Sequence, residues 1–291
     1  PPATSPSGVD RTSKLYIGGR QARPDSGYSL KVAGAGGVLL GEVGEGNRKD
    51  IRNAVEAARG AADAWARTSG HGRAQILYYI GENLSARAAE FAARIRAMTG
   101  MPAVDAHAEV DATVARLFTY AAWADKWDGA VHHTPVRGVT LAMNEPVGVI
   151  GIAAPEEHPL LGFVSVVAPA VAVGNTVVAT PSERHPLAVT DFYQVLETSD
   201  VPPGVVNIVT GRKLDLARVL AEHDDVDAIW WFGEANGVKT CELASCGNMK
   251  QTWCEDMGGH PRAWTDASEG EGREFLRHAT QVKNIWIPYG E

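Results

Sequence analysis

Glu145-Pro146-Val147-Gly148-Val149-Ile150-Gly151, then Gly174-Asn175-Thr176-Val177-Val178, then Pro202-Pro203-Gly204-Val205-Val206-Asn207-Ile208-Val209 sets short apolar runs behind turn residues, each followed by a stretch of helical length. Runs of four to eight apolar residues bounded by Gly, Pro and Asn read as buried strands. When strands alternate with helices the strands lie parallel, because parallel neighbours need a long crossover between them. The strands expected on this reading are 147–153, 176–179, 205–209, 228–232 and 251–254, with helices near 160–173, 187–198, 214–223 and 236–245. Five such steps predict an α/β chain with a doubly wound parallel sheet.

Upstream of this block the texture changes. Ile51, Ala54, Val55, Ala58, Ala62 and Trp65 fall on one helical face, with Arg48, Arg52, Glu56, Arg59 and Asp63 opposite. Similar periods carry Ile76, Leu77, Ile80 and Leu84, then Phe91, Ile95 and Met98, then Val110, Val114, Leu117, Phe118 and Ala121, so 47–127 is predicted helical. Before it, 15–17 closed by Gly18-Gly19, and 28–32 with 38–43 about a Gly-rich turn, read as strands and a hairpin. The glycines at 34, 36, 37, 41, 44 and 46 are assigned to that hairpin rather than to a phosphate loop, which has to follow a strand and open a helix. A strand is expected over 136–142 and another over 282–288, after a helix near 274–279; His132-His133 is placed in a polar loop. Residues 1–13, opening on Pro1-Pro2-Ala3-Thr4-Ser5-Pro6-Ser7-Gly8, have the composition of an extended linker.

The net charge of -8 disfavours broad binding to a phosphate backbone, so no nucleic-acid partner is expected. No membrane span is expected either, because the most apolar stretch, 160–179, is interrupted by Pro169 and Gly174-Asn175. The three cysteines, Cys241, Cys246 and Cys254, are an odd number confined to one stretch, which suggests reduced thiols and a cytoplasmic location. Neither they nor the nine histidines show the repeated spacing of a structural metal site, and no metal is expected.

In order and spacing, the pieces quoted above, with Pro202-Pro203-Gly204 continuing to Thr210-Gly211 and with Met257-Gly258-Gly259, closely resemble the aldehyde dehydrogenase superfamily. The helical region resembles that family's N-terminal part, and Thr280-Gln281-Val282-Lys283-Asn284-Ile285-Trp286-Ile287 resembles its C-terminal oligomerisation strand. The resemblance implies a Rossmann-like doubly wound parallel sheet with an N-terminal helical region and a β-hairpin oligomerisation flap. On it, 14–135 and 147–278 form a vestigial NAD-binding domain, 136–146 and 279–291 form the flap, and the catalytic domain is absent.

Several positions depart from the family pattern. The resemblance implies a Pro-Trp-Asn-Phe-Pro turn whose Asn donates to the developing oxyanion; the chain has Pro155-Glu156-Glu157-His158-Pro159, with a carboxylate where a neutral donor is needed. Loss of one such donor typically costs roughly 100 to 1,000-fold in rate. Where the family holds the adenosine ribose with Lys-Pro-x-Glu, the chain has Thr180-Pro181-Ser182-Glu183, keeping the acid and losing the lysine. Where the family faces the pyrophosphate with Phe-Thr-Gly-Ser, the chain has Trp231-Phe232-Gly233-Glu234, which sets an acid beside an anion site. The general base of Glu-Leu-Gly-Gly-Lys corresponds to Asp256-Met257-Gly258-Gly259-His260, with Glu255 as a one-residue alternative. The family's catalytic cysteine lies beyond that Gly pair, and 260–291 contains no cysteine.

These departures imply no catalytic residue in this chain and no bound cofactor, with Thr180, Glu183, Gly233 and Glu234 as vestigial cofactor positions. The resemblance narrows to the C-terminal pseudo-dehydrogenase domain of class-sixteen tandem aldehyde dehydrogenases; a related domain ends some bifunctional proline-catabolic enzymes. The partner it implies is the catalytic domain of a complete aldehyde dehydrogenase unit, on the same or a partner chain, with NAD used there and a homo-oligomer expected. Two other readings stand beside it. One is an NAD-binding regulatory module without chemistry, favoured by Glu183. The other is an enzyme with a different reacting set among Cys254, Glu255 and His260.

Overall fold

The computed structural model describes residues 12–135 and 137–288, so most of the expected linker, residues 1–11, lies outside them. The chain opens with β1 (Thr12–Ser13), β2 (Leu15–Ile17), β3 (Arg20–Ala22), β4 (Ser29–Ala33) and β5 (Leu39–Gly44). Thr12 and Ser13, counted with the linker in the sequence reading, pair in parallel with β5, and β4 and β5 form the expected Gly-rich hairpin. Four helices follow: α1 (Arg48–Arg67), α2 (Gly70–Ala86), α3 (Ala88–Thr99) and α4 (Ala103–Trp123). Helix α1 starts where it does because Asn47 accepts from the Lys49 and Asp50 amides while Asp50 accepts from the Asn47 amide, a reciprocal cap that satisfies otherwise orphaned donors. All six apolar residues of its predicted face are buried.

The remaining elements are β6 (Ala130–His132), β7 (Gly138–Pro146), β8 (Val149–Ala153), α5 (Leu161–Ala172), β9 (Thr176–Thr180), α6 (Leu187–Glu197), β10 (Val206–Ile208), α7 (Lys213–Glu222), β11 (Ala228–Gly233), α8 (Ala235–Ala244), β12 (Gln251–Asp256), α9 (Ala267–Gly270), α10 (Arg273–His278) and β13 (Thr280–Pro288). The central sheet has the order β12-β11-β8-β9-β10-β2-β3. Its five strands from β8 to β12 are parallel, and the β2-β3 hairpin extends it antiparallel from β10. Strands β8, β9, β10 and β11 are buried along their whole length, as strands covered by helices on both faces must be. Helices α1 and α7 pack on one face; α5, backed by α2 and α4, packs on the other. Every residue of α5 is buried, which explains why its sequence is apolar all round. Strand order reverses at β8, with β9 on one side and β11 on the other, so a crevice opens beyond their C-terminal ends.

The flap is three-stranded, in the order β13-β7-β6, rather than a hairpin. Strands β7 and β13 pair antiparallel over nine residues, from Thr280 opposite Pro146 to Pro288 opposite Gly138. Val136, where the sequence suggested a strand start, and 289–291 lie outside the described residues. His132, expected in a loop, sits in β6 opposite Thr140. Three residues, Ala130-Val131-His132, are too few to carry a two-residue period, so this strand has no signature in the sequence.

Between Asp256 and Thr280 the chain passes directly from the sheet to the flap through α9 and α10. Two arginines fasten this passage. Arg262 bonds Glu255 (Nε to Oε2, 3.0 Å), Glu274 (2.9 Å) and the Glu269 carbonyl (2.6 Å), with its guanidinium over the rings of Phe275 (5.2 Å), Trp253 (5.7 Å) and Trp264 (5.9 Å). Arg116 on α4 is 3% exposed; it pairs with Glu271 at 2.8 Å and donates to the Trp264 and Gly270 carbonyls and to Ser165 Oγ. Edge-to-face contacts among Trp230, Phe232, Trp253, Trp264 and Phe275 fill the space beneath.

Candidate functional site

The crevice at the sheet's reversal point has a volume of about 390 Å³ and is lined in part by Glu156, Glu183, Lys213, Trp231, Gly233 and Glu234. Glu156 stands in the turn after β8. Its carboxylate pairs with Lys213 Nζ at 2.7 Å and accepts from Ser182 Oγ at 2.6 Å and from the Arg184 and Glu183 amides at 3.2 and 3.3 Å. Burial alone would raise its proton affinity, but the Lys213 charge and these hydrogen bonds outweigh burial and hold the carboxyl below its ordinary value. Lys213 is 6% exposed. Besides Glu156 it donates to the Ala154 carbonyl (3.0 Å) and the Phe232 carbonyl (3.3 Å), joining the ends of β8 and β11, and it lies 5.2 Å from the Trp231 ring centroid.

Sequence reasoning missed Lys213. The available signal was its phase: it lies on the same buried face of α7 as Leu216, Ala217 and Leu220, where a cation requires a partner.

Glu183 accepts from the Lys213 amide at 2.8 Å, satisfying an orphan donor at the start of α7, and faces Arg212 at 3.6 Å. Thr180 is fully buried at the end of β9, and its Oγ1 has no hydrogen-bond partner among the described residues. Gly233 ends β11, and Glu234 occupies the N-cap of α8 without a side-chain capping bond. The Trp231 indole donates from Nε1 to the Glu234 carbonyl at 3.1 Å and lies flat against Gly237, where a Cβ would come within 1.9 Å of the ring. The first turn of α8 is thus covered by an aromatic ring and headed by an acid. Three of the four positions singled out in the sequence, Glu183, Gly233 and Glu234, line the crevice, with Glu183 committed to α7; Thr180 is buried at the end of β9 and does not line it.

The turn itself is shaped by His158, whose φ of 48° is in the left-handed region, and by Glu109. Glu109, 1% exposed on α4, accepts from the Leu160 and Leu161 amides at 3.0 and 3.3 Å and faces His158 Nδ1 at 3.4 Å. Hydrogen bonding to Glu109 pushes His158 above its ordinary value, against the effect of burial.

The other candidate set does not converge. Glu255 is held by Arg262 and by Trp253 Nε1, Asp256 accepts from the Gly258 amide at 3.1 Å as a turn residue, and the His260 amide closes the same turn on the Asp256 carbonyl. Among the described residues no three His, Cys, Asp or Glu side chains group as metal ligands, and no helix is long and apolar enough to cross a membrane.

The sequence profile described as the aldehyde dehydrogenase family matches residues 26–264. The chain belongs to this family. It is 34% identical over 226 residues to betaine aldehyde dehydrogenase of Bacillus subtilis, covering 76% of this chain and 46% of that protein. It is 31% identical over 268 residues to retinal dehydrogenase 2 of Mus musculus, covering 89% and 51%. The structure superposes on an NAD-dependent aldehyde dehydrogenase from Sinorhizobium meliloti with a TM-score of 0.80 and 27% identity, covering 85% of this chain and 50% of that one. This aldehyde dehydrogenase family chain therefore spans about half the length of the relatives it matches.

Proposed function

We propose that this chain is a non-catalytic aldehyde-dehydrogenase-like module, of the kind that ends class-sixteen tandem aldehyde dehydrogenases. Its flap packs on the catalytic domain of a complete aldehyde dehydrogenase unit, in the same or a partner chain, and NAD-dependent oxidation of aldehydes to acids resides there. The observation that carries this reading is the Lys213–Glu156 pair, which lines the crevice and ties up the groups a dinucleotide would meet. Glu183, the one retained ribose-binding acid, caps α7, and the N-terminus of α8 presents Glu234 under Trp231 where a pyrophosphate would require free amides. The residues present do not fit the cofactor. Nor does 260–291 offer a cysteine for attack on an aldehyde carbon.

The flap supports the second half of the proposal. Val131, Val282, Trp286 and Ile287 are exposed on it, and β13 is an outer strand with one edge unpaired among the described residues, a surface suited to main-chain pairing and apolar packing. Such a flap favours a homo-oligomer, and the free thiols fit a cytoplasmic setting. The test compares the whole parent protein with a form lacking this segment, measuring aldehyde oxidation and size in solution. Activity or assembly is expected to fall; if neither changes, the proposal is overturned.

Survival of Glu183 at the crevice favours one other reading, an NAD-binding regulatory module without chemistry. Calorimetric titration separates the two. No heat is expected at millimolar NAD, and micromolar binding would replace the first reading with the second.

A further inference from the structure

The turn between β8 and α5, Pro155-Glu156-Glu157-His158-Pro159, carries Glu156 to Lys213 and meets the helical layer at His158. The His158 carbonyl accepts from the Gly162 amide at 2.6 Å, opening α5. Its φ of 48° is a conformation that a residue with a side chain keeps only where the surroundings impose it. His158 Nδ1 faces Glu109 Oε2 of α4 at 3.4 Å; both atoms are buried, and neither has a closer hydrogen-bond partner among the described residues. The other oxygen of Glu109 is already taken by the Leu160 and Leu161 amides. One carboxylate, 1% exposed, thus holds the start of α5 with one oxygen and meets the turn with the other. A buried carboxylate oxygen without a donor is costly, and the His158 ring is the group placed to supply one.

We propose that His158 and Glu109 are a proton-operated latch, which pins the crevice turn to α4 while both ring nitrogens of His158 are protonated and releases it when one proton leaves. In the protonated state Nδ1 donates to Glu109 Oε2 as a charge-assisted bond, about twice as strong as a neutral one. In the neutral ring either Nδ1 keeps its proton and the bond loses its charge, or Nε2 keeps it and two acceptors face each other in a buried place. Contact with Glu109, joined by the charge of Glu157, holds His158 above its ordinary value although burial acts the other way. The latch is therefore closed below the ordinary histidine value of about 6.5 and opens as pH rises through the higher folded value. Of the neighbouring groups, burial holds His185 below its ordinary value, so it is neutral before the latch opens. The Arg184 amide and Lys213 Nζ are engaged by Glu156, and α5 contributes no charged residue. The consequence of release falls on Glu156, two residues before His158: its hold on Lys213 and on the Arg184 amide loosens, while Glu109 keeps the start of α5.

The experiment follows amide hydrogen exchange in the intact chain by NMR from about pH 5.5 to about pH 9, a span on both sides of the ordinary histidine value. Each rate is divided by its unstructured value at the same pH. The Gly162 amide reports on His158, the Arg184 amide on Glu156, and the Leu160 and Leu161 amides on Glu109. As the His158 ring titrates, protection of Gly162 and Arg184 is expected to fall about tenfold, the step between a charge-assisted and a neutral hydrogen bond, while that of Leu160 and Leu161 holds. His158→Asn tolerates the left-handed backbone and keeps a donor that does not titrate, so its protection is expected to be independent of pH. In Glu109→Gln the His158 ring is expected to titrate lower than in the wild type. The proposal is overturned if His158→Asn keeps the wild-type pH dependence, which would assign it to another group. It is equally overturned if the wild-type ring titrates at or below its ordinary value, or if it titrates with no change at Gly162 and Arg184.

Discussion

The crevice and the flap have opposite chemistry. In the crevice the charges find partners within the chain: Lys213 with Glu156, Glu183 with the α7 amide and Arg212. In the flap several apolar side chains stand in the open: Val131, Val282, Trp286 and Ile287 are 48–72% exposed. A polar site that is internally satisfied gains little from a ligand, since every new bond replaces one already made. An apolar surface in water gains from any partner that covers it. On the proposed function, the flap and not the crevice is the surface that a partner covers.

The passage that joins the two regions should be the most sensitive to mutation. Arg116 holds Glu271 and the Trp264 and Gly270 carbonyls from a nearly sealed position, so truncation leaves a half-buried carboxylate and two carbonyls without this donor. Arg116→Ala is expected to cost about 3–5 kcal/mol, as for other broken buried pairs. Urea denaturation followed by tryptophan fluorescence measures it. A loss below about 1 kcal/mol would mean that the passage behaves as surface, and that this side of the molecule is no more closed than the flap.

Within the crevice, the Glu156 pair predicts a pH dependence of definite sign. Its carboxyl is held below the ordinary value in the folded chain, so its contribution is present above the unfolded pKa of about 4.3 and is lost as pH falls through the lower folded value. Glu156→Gln should lower stability by about 1.5–3 kcal/mol at neutral pH, the range for a charge-assisted hydrogen bond. The deficit should shrink in acid as the wild-type carboxyl protonates. Urea midpoints of both proteins between neutral and acid pH check this. A deficit independent of pH would show that the side chain acts through packing instead of charge.

How far the sequence foretold these two regions depends on what each needs to encode. Buried strands such as Val149–Ala153 and Thr176–Thr180 need only apolar runs between turn residues, and α1 needs only a period and a cap, so both were legible with ends shifted by one or two residues. The altered positions, Thr180, Glu183, Gly233 and Glu234, were legible only against the family pattern. What the chain does with them was not. Lys213 reaches Glu156 from 57 residues further along the chain, a meeting that exists only once β8 and β11 stand side by side. The third flap strand was missed for a related reason: Ala130–His132 is a strand because β7 lies next to it, with no local pattern of its own.

The smallest expected effect on folding is at the flap, and it tests the comparison most directly. Trp286 is 59% exposed on the outer strand β13, opposite Thr140 of β7, so replacing it removes little that the folded chain has buried. Trp286→Ser should therefore change stability by no more than about 0.5 kcal/mol, the range for surface substitutions away from special features. The same change removes the largest apolar side chain exposed on the flap, and with it a large part of what a covering partner would gain. Sedimentation velocity on the intact parent protein is expected to show weakened assembly, with unchanged denaturation of this chain alone. If stability falls by several kcal/mol while assembly is unaffected, Trp286 is holding its own sheet together. The flap would then be as self-contained as the crevice, and the contrast between them would fail.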